Sequence, residues 1–291
     1  MKTLLLSFAH PDDESFSTGI LAAKYSANGY KIHLLTASYG EAGQTGPYGE
    51  ISGDALGNIR AKELSEAAKT LGISTVFHLG YRDGTLKNQT DGELEDKIYR
   101  KMVEYTPDAV VTYDPTGISN HPDHMKMCFA TTYAFQRYTL ELEETRTTVG
   151  RINQGDKTVK IRNFASHHKF ALKQKSFAEV MESDIEPKLY YVALPESTAK
   201  FLKKSKVLPD NSFDKPVTGT PDKFITTVIE GVKFQTKKVQ ALCCHKSQYE
   251  DVERFVGFAE NPLLFQEYYI LRMQGSTEVF MGKNDRITDR L

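Results

Sequence analysis

The sequence predicts an α/β fold: a mainly parallel sheet with helices on both faces, a three-layer αβα sandwich. Three observations point there. Over the first 140 positions, short apolar runs alternate with amphipathic stretches of ten or more residues, the pattern of βαβ units with right-handed crossovers. The runs are continuously apolar, as strands are when both faces are covered. Clusters rich in His and Asp follow two of these runs, and ligands in open α/β sheets sit beyond the carboxyl ends of the strands.

Leu4–Ala9 reads as the first strand, and Gly19–Asn28 as a helix that ends at Gly29. Lys31–Ala37 is the second strand. Asn58–Leu71 carries Ile59, Leu64, Ala67, Ala68 and Leu71 on one stripe and stops at Gly72, which marks a helix. Thr75–Leu79 is the third strand, Glu93–Tyr105 a helix, Ala109–Tyr113 the fourth strand and His121–Tyr138 a helix. Periodicity fades from about Glu141 to Pro187. Within that stretch, Asp156–Lys175 gathers five lysines, one arginine and the pair His167–His168; it reads as an insertion over one rim of the sheet. Leu189–Leu194 and Ile225–Ile229 follow as strands, then Val232–His245, Glu250–Phe258 and Leu263–Met273 as helices. With no repeat and no Pro/Gly-rich linker, residues 1–291 are expected to form one Rossmann-like domain with an inserted element at about 141–187.

The 37 basic and 38 acidic residues leave a net charge of -1. The chain therefore lacks the positive field that holds nucleic acid or acidic membranes by bulk charge. Three cysteines, Cys128, Cys243 and Cys244, cannot make a disulfide framework and suit a reducing compartment. The apolar start is too short for a signal segment and far short of the ~20 residues that span a bilayer. A cytoplasmic protein is expected, with neither nucleic acid nor membrane as partner and with homo-oligomerisation left open.

His10-Pro11-Asp12-Asp13-Glu14 closes the first strand, and His121-Pro122-Asp123-His124 follows the fourth after the loop Asp114–Asn120. A catalytic zinc takes about three N/O protein ligands and keeps one position open. His10, Asp13 and one of His121 and His124 meet that need. Asp12 and Glu14 stand beside them to take a proton from water, and the unbound histidine can serve the leaving amine as acid. Pro11 and Pro122 stiffen both loops. Either cluster alone would read as a helix N-terminus or a solvated helix face; two at one rim argue for a site. His/His/Asp does not select zinc strictly, so another divalent ion such as Fe2+ also fits.

These two clusters resemble the signatures of the LmbE-like (PIG-L) zinc-dependent deacetylases. Weaker echoes are Gly40-Glu41-x-Gly43, Arg60-x-x-Glu63 and Gly80-Tyr81-Arg82-Asp83-Gly84. Lys238-x-x-Ala241-x-x-x-His245-x-Ser247-Gln248 is similar to the mycothiol-related deacetylase and amidase branch. The resemblance covers about 1–140 and, more loosely, 219–250. It implies one Zn2+ per chain on His10, Asp13 and His124, with Asp12 as general base. His121, oriented by Asp123, would be the acid or the stabiliser of the tetrahedral intermediate. Arg60 would reach a substrate hydroxyl and Asp83 would shape the sugar pocket, with Ser119 and His245 as further substrate-binding candidates. Ser119 stands where some bacterial relatives carry a tyrosine that assists the oxyanion; with Asn120 it is similar to the loop of the eukaryotic glycolipid deacetylases. The implied reaction removes the N-acetyl group from an N-acetylglucosaminyl compound, so the expected partner is a small N-acetylated amino sugar. Two alternatives are an amidase of larger glucosaminyl amides and a non-catalytic sugar-binding α/β module. The lack of Gly-x-Gly-x-x-Gly after the first strand counts against a dinucleotide site.

Overall fold

The first strand, β1 (Thr3–Phe8), is buried along its whole length because it runs through the middle of the sheet. It pairs in parallel with β2 (Lys31–Thr36) on one side and β4 (Ala109–Tyr113) on the other. β3 (Thr75–His78) extends the sheet beyond β2, and β5 (Lys188–Ala193) beyond β4, both in parallel. The order β5-β4-β1-β2-β3 reverses direction between β1 and β4. At such a switch point the two following loops diverge and leave a crevice at the carboxyl edge. The structure, a computed structural model, describes residues 2–153, 179, 186–279, 288, 289 and 291.

On one face lie α1 (Asp13–Ala27), α2 (Gly53–Leu71) and α7 (Gln235–Leu242), which pack together; α3 (Glu93–Tyr105) and α5 (Pro122–Asn153) pair on the other. Between them, α4 (Gly117–Asn120) is a single turn; α6 (Glu196–Lys204), the hairpin β6–β7 (Asn211–Ser212, Lys215–Pro216) and α8 (Tyr249–Val256) are further short pieces. The three-layer α/β reading therefore holds. α2 starts earlier than its apolar stripe does, because the Ser52 side chain accepts from Ala55 N at 3.3 Å. It stops at Gly72, whose φ of 76° suits a residue without a Cβ.

Two expectations are corrected. Leu263–Met273 is no helix: β9 (Gln266–Gln274) is a strand, antiparallel to β5, to β8 (Thr227–Glu230) and to β10 (Thr277–Glu278). Its buried residues begin Glu267, Tyr269, so the two-residue period was hidden by a charged residue in the inward register. The loss of periodicity at Glu141 does not end α5 either, which runs on to Asn153. Leu142 and Thr145 are still buried there, and the Thr145 hydroxyl bonds back to Glu141 O at 2.7 Å. The basic run Asp156–Lys175 and His167–His168 lie outside the described residues. Among those described, no helix is long and apolar enough to cross a membrane.

Candidate metal centre

The chain leaves β1 through a loop that α1 holds from behind. The Asp13 carboxylate reaches back to accept from His10 N at 2.7 Å, which ties the loop into one tight turn. Asp12 takes φ 108°, a left-handed conformation that costs a non-glycine residue on the order of 1–3 kcal/mol. Its neighbours hold it there. Arg60, almost wholly buried, donates through Nη2 to Pro11 O and to Asp12 Oδ2, the latter at 3.0 Å, and through Nη1 to Gly40 O at 2.8 Å. A side chain at Gly40 or Gly43 would run into this guanidinium, which accounts for Gly40-Glu41-x-Gly43. Glu14 accepts from Asp12 N at 3.0 Å and lies 2.9 Å from His245 Nε2.

The second loop is folded around Asp114. Its Oδ1 accepts from Thr116 N, Thr116 Oγ1 and Ile118 N at 2.7–3.1 Å, and Thr220 Oγ1 donates to Oδ2 at 3.2 Å. This winds Gly117 to φ 64°, where a Cβ would come within 2.8 Å of the His124 Cβ. Gly117 O sits 3.1 Å from His124 Nδ1. That contact fixes the tautomer: Nδ1 carries the proton and the Nε2 lone pair is left free. Tyr113 at the end of β4 stacks on the His124 ring at 4.2 Å, and its hydroxyl donates to Asp13 Oδ2 while accepting from Ala9 N.

The two loops bring three donor groups together. His10 Nδ1 and His124 Nε2 are 3.1 Å apart, His10 Nδ1 and Asp13 Oδ2 3.6 Å, and His124 Nε2 and Asp13 Oδ1 3.4 Å. A tetrahedral ion with bonds of about 2.0–2.1 Å has ligand–ligand edges of about 3.3–3.4 Å. The His124 edge to Asp13 Oδ1 has about that length, while the His10 contact is to the other carboxylate oxygen; in chemistry the three residues supply the donor types such an ion takes. His121 brings a nitrogen within 4.8 Å of those of His10 and His124, and Asp83 and Asp123 form a second such group with His10.

Charge agrees with this. Burial raises the Asp13 carboxyl's affinity for protons, but His124, His10 and the Tyr113 hydroxyl together hold it well below the usual carboxylate range. Burial and the neighbouring histidines bring His124 down to about 4 despite Asp13, which keeps it the neutral imidazole that metals bind. Burial works against a charged His10, yet Asp123, Asp13 and Asp83 outweigh it and raise its pKa; three carboxylates here face one cationic position. Asp12 is pushed up to about 7, by burial first, with Arg60 pulling the other way.

The remaining expected residues fall into place unevenly. His121 stacks 4.7 Å from His124 and stands edge-on to His10. Its Nδ1 accepts from Asp123 N at 3.1 Å, so Asp123 orients it through the backbone. The Asp123 carboxylate accepts instead from Gly84 N and Leu86 N at 2.8 and 3.2 Å. Asp83 lies behind His10, Oδ1 2.9 Å from its Nε2. Ser119 lines a cavity together with Asp13 and His124. Arg60, expected at a substrate hydroxyl, has Nη1 and Nη2 on backbone carbonyls and Asp12. His245, expected at the substrate, is fully buried against Glu14. Sequence reasoning does not single out Tyr113, since it reads as the last residue of an apolar strand; Glu14, expected as a possible proton acceptor, is instead engaged by Asp12 N and His245.

Residues 5–135 match the family model described as "PIG-L: GlcNAc-PI de-N-acetylase". This segment is similar to the PIG-L family. All three donors lie inside it. Over a longer span, a 1D-myo-inositol 2-acetamido-2-deoxy-alpha-D-glucopyranoside deacetylase of Saccharopolyspora erythraea is 29% identical over 289 residues, covering 92% of each chain. A deacetylase of the same description from Saccharomonospora viridis is 36% identical over 155 residues, 46% of this chain and 58% of that one. Two solved structures share this chain's fold. N,N'-diacetylchitobiose deacetylase from Pyrococcus horikoshii has a TM-score of 0.59 at 18% identity, covering 94% of this chain and 84% of its own. The 4-carboxy-2-hydroxymuconate hydratase GalB of Pseudomonas putida has 0.60 at 17%, covering 96% and 100%. One fold thus carries two reactions, and the site must decide between them.

Proposed function

We propose that this chain is a metal-dependent hydrolase that removes the acetyl group from an N-acetylglucosaminyl compound. The observation that carries the reading is the triangle of His10, Asp13 and His124 donors with the Asp12 carboxylate beside it on an Arg60 clamp. His10, Asp13 and His124 would hold the ion. When bound, it would supply Lewis acidity towards the amide carbonyl and make water a better acid. Asp12 takes the proton from the attacking water; a carboxyl held near neutrality suits a general base. Asp12 then returns that proton to the leaving nitrogen, while His121, whose Nδ1 accepts from the Asp123 N–H, presents its Nε2–H as a hydrogen-bond donor that stabilises the tetrahedral intermediate. Asp83 and Asp123 neutralise His10 from behind, and Tyr113 fixes the Asp13 carboxylate. The full-length likeness to the inositol-glucosaminide deacetylases supports the acetylated amino sugar as substrate.

Zinc-loaded protein should release acetate from N-acetylglucosamine derivatives and lose this activity to a chelator. Failure to bind any divalent metal would sink the reading. Tyr113→Phe should weaken zinc binding by about 10–100-fold, measured by competition with a chromophoric chelator, since Asp13 loses its hydroxyl donor and Ala9 N its acceptor. Arg60→Lys keeps the charge but not the fork that spans two carbonyls and Asp12. It should lower kcat by about tenfold or more with little change in KM, because the base is displaced and not the substrate. A rise in KM alone would return Arg60 to the substrate-hydroxyl role.

A further inference from the structure

A cavity of about 350 Å3 opens beside the three donors, and Asp13, Tyr113 and His124 form part of its wall. We infer that it receives the acyl chain of the substrate and has room for chains longer than the acetyl group. This inference rests on the hydrolase reading above.

Size is the first reason. The volume falls within the ~300–1,000 Å3 of small-molecule sites, far more than one methyl group fills. Lining chemistry is the second. Leu194, Leu202, Val207 and Leu208 belong to the walls and to a small apolar cluster separate from the main core, and Phe16 meets Phe255 edge-on across 5.1 Å. The charges on the walls cancel in pairs: Lys238 Nζ lies 2.7 Å from Glu267, and Arg254 Nη1 3.3 Å from Asp251. The remaining lining carboxylate, Asp13, belongs to the donor triangle. No uncompensated charge is left to recruit an ionic group, so a neutral, apolar occupant is favoured. A glycosyl amide that places its scissile carbonyl at the donors would then turn its alkyl chain into the cavity.

The test is a chain-length series of N-acetyl-, N-butanoyl- and N-hexanoyl-glucosamine. Affinity for the zinc-loaded Asp12→Asn variant, read by calorimetry, should rise about fourfold per added methylene. Affinity that is flat or falls from acetyl onwards overturns the inference. Filling the cavity by Leu208→Trp, or separately by Val207→Trp, should abolish the gain for the hexanoyl compound and leave that for the acetyl compound unchanged; thermal melts of both variants show whether they fold. A gain that persists in folded variants also overturns it. Turnover by the wild-type protein separates the two readings. If affinity climbs with chain length but no acid is released from any member, the hydrolase reading falls and the cavity assignment stands. If acetate is released while affinity stays flat, the cavity assignment alone falls.

Discussion

Asp12→Asn should leave zinc in place and reduce turnover by about 10²–10⁴-fold, the usual contribution of a positioned acid or base. Asparagine is the informative replacement because of the backbone. Asp12 sits at φ 108°, a region that Asn tolerates better than most residues, and its amide oxygen can still accept from Arg60. Alanine would add strain and leave the guanidinium facing nothing, so a loss of activity could follow from a moved loop. Metal content by elemental analysis and kcat on the same preparation decide the matter. Zinc lost with activity would mean that Asp12 is a ligand and the division between Asp12 and Asp13 is wrong. Full activity with zinc retained would remove Asp12 from the chemistry.

The candidate site was legible because its parts are contiguous. Each His/Asp cluster occupies five residues or fewer, one directly after β1 and one a short loop after β4, and β1 and β4 are adjacent parallel strands. Order along the sheet then brings His10 and His124 within hydrogen-bond reach although 114 positions separate them. Sequence pattern fails where partners are distant and polar residues are enclosed. His245 and Lys238 look like the wet face of a helix at spacings of three and four. They are instead fully buried, because Glu14 and Glu267 wait for them under that face. Ser247 belongs to the same set: its N and Oγ bond Glu63 at 2.9 and 2.6 Å. The C-terminal motif lies outside the matched residues 5–135, and its described contacts fasten α1 and α2 behind the donors. The strand β9 was missed for the same reason, since its inward register opens on the carboxylate that Lys238 needs.

The largest stability loss is expected at that carboxylate and its partner. α1 breaks at Thr18, whose φ of -140° is not helical, and the break strands backbone groups inside the core. Glu267 accepts from Ile20 N and Leu21 N, each at 2.9 Å, and from the Tyr269 hydroxyl at 2.8 Å. Lys238 Nζ donates to Glu267 at 2.7 Å and to Phe16 O at 2.9 Å. Burial pushes the Lys238 amine down, with Glu267 opposing it, so the pair is held together by complementary charge inside the protein. Its stem leaves no room for a side chain at position 19, where a Cβ on Gly19 would lie 2.9 Å from Lys238 Cγ. Lys238→Met keeps the stem and removes the charge, which leaves a buried carboxylate unpaired. It should cost about 3–5 kcal/mol, read from the shift in urea midpoint at constant m-value. Glu267→Gln should be costly too, because one of the two amides of α1 then faces an NH2 group. The double variant should fall short of the sum by about 0.5–3 kcal/mol, as residues in one network do. A loss below about 1 kcal/mol for Lys238→Met would show that the kink is held by packing alone. Asp13 and Glu14 form the first turn of α1, on the near side of the kink. A loosened kink should therefore weaken zinc binding along with folding, whereas a lesion confined to the far end of α1 would lower stability and leave metal affinity intact.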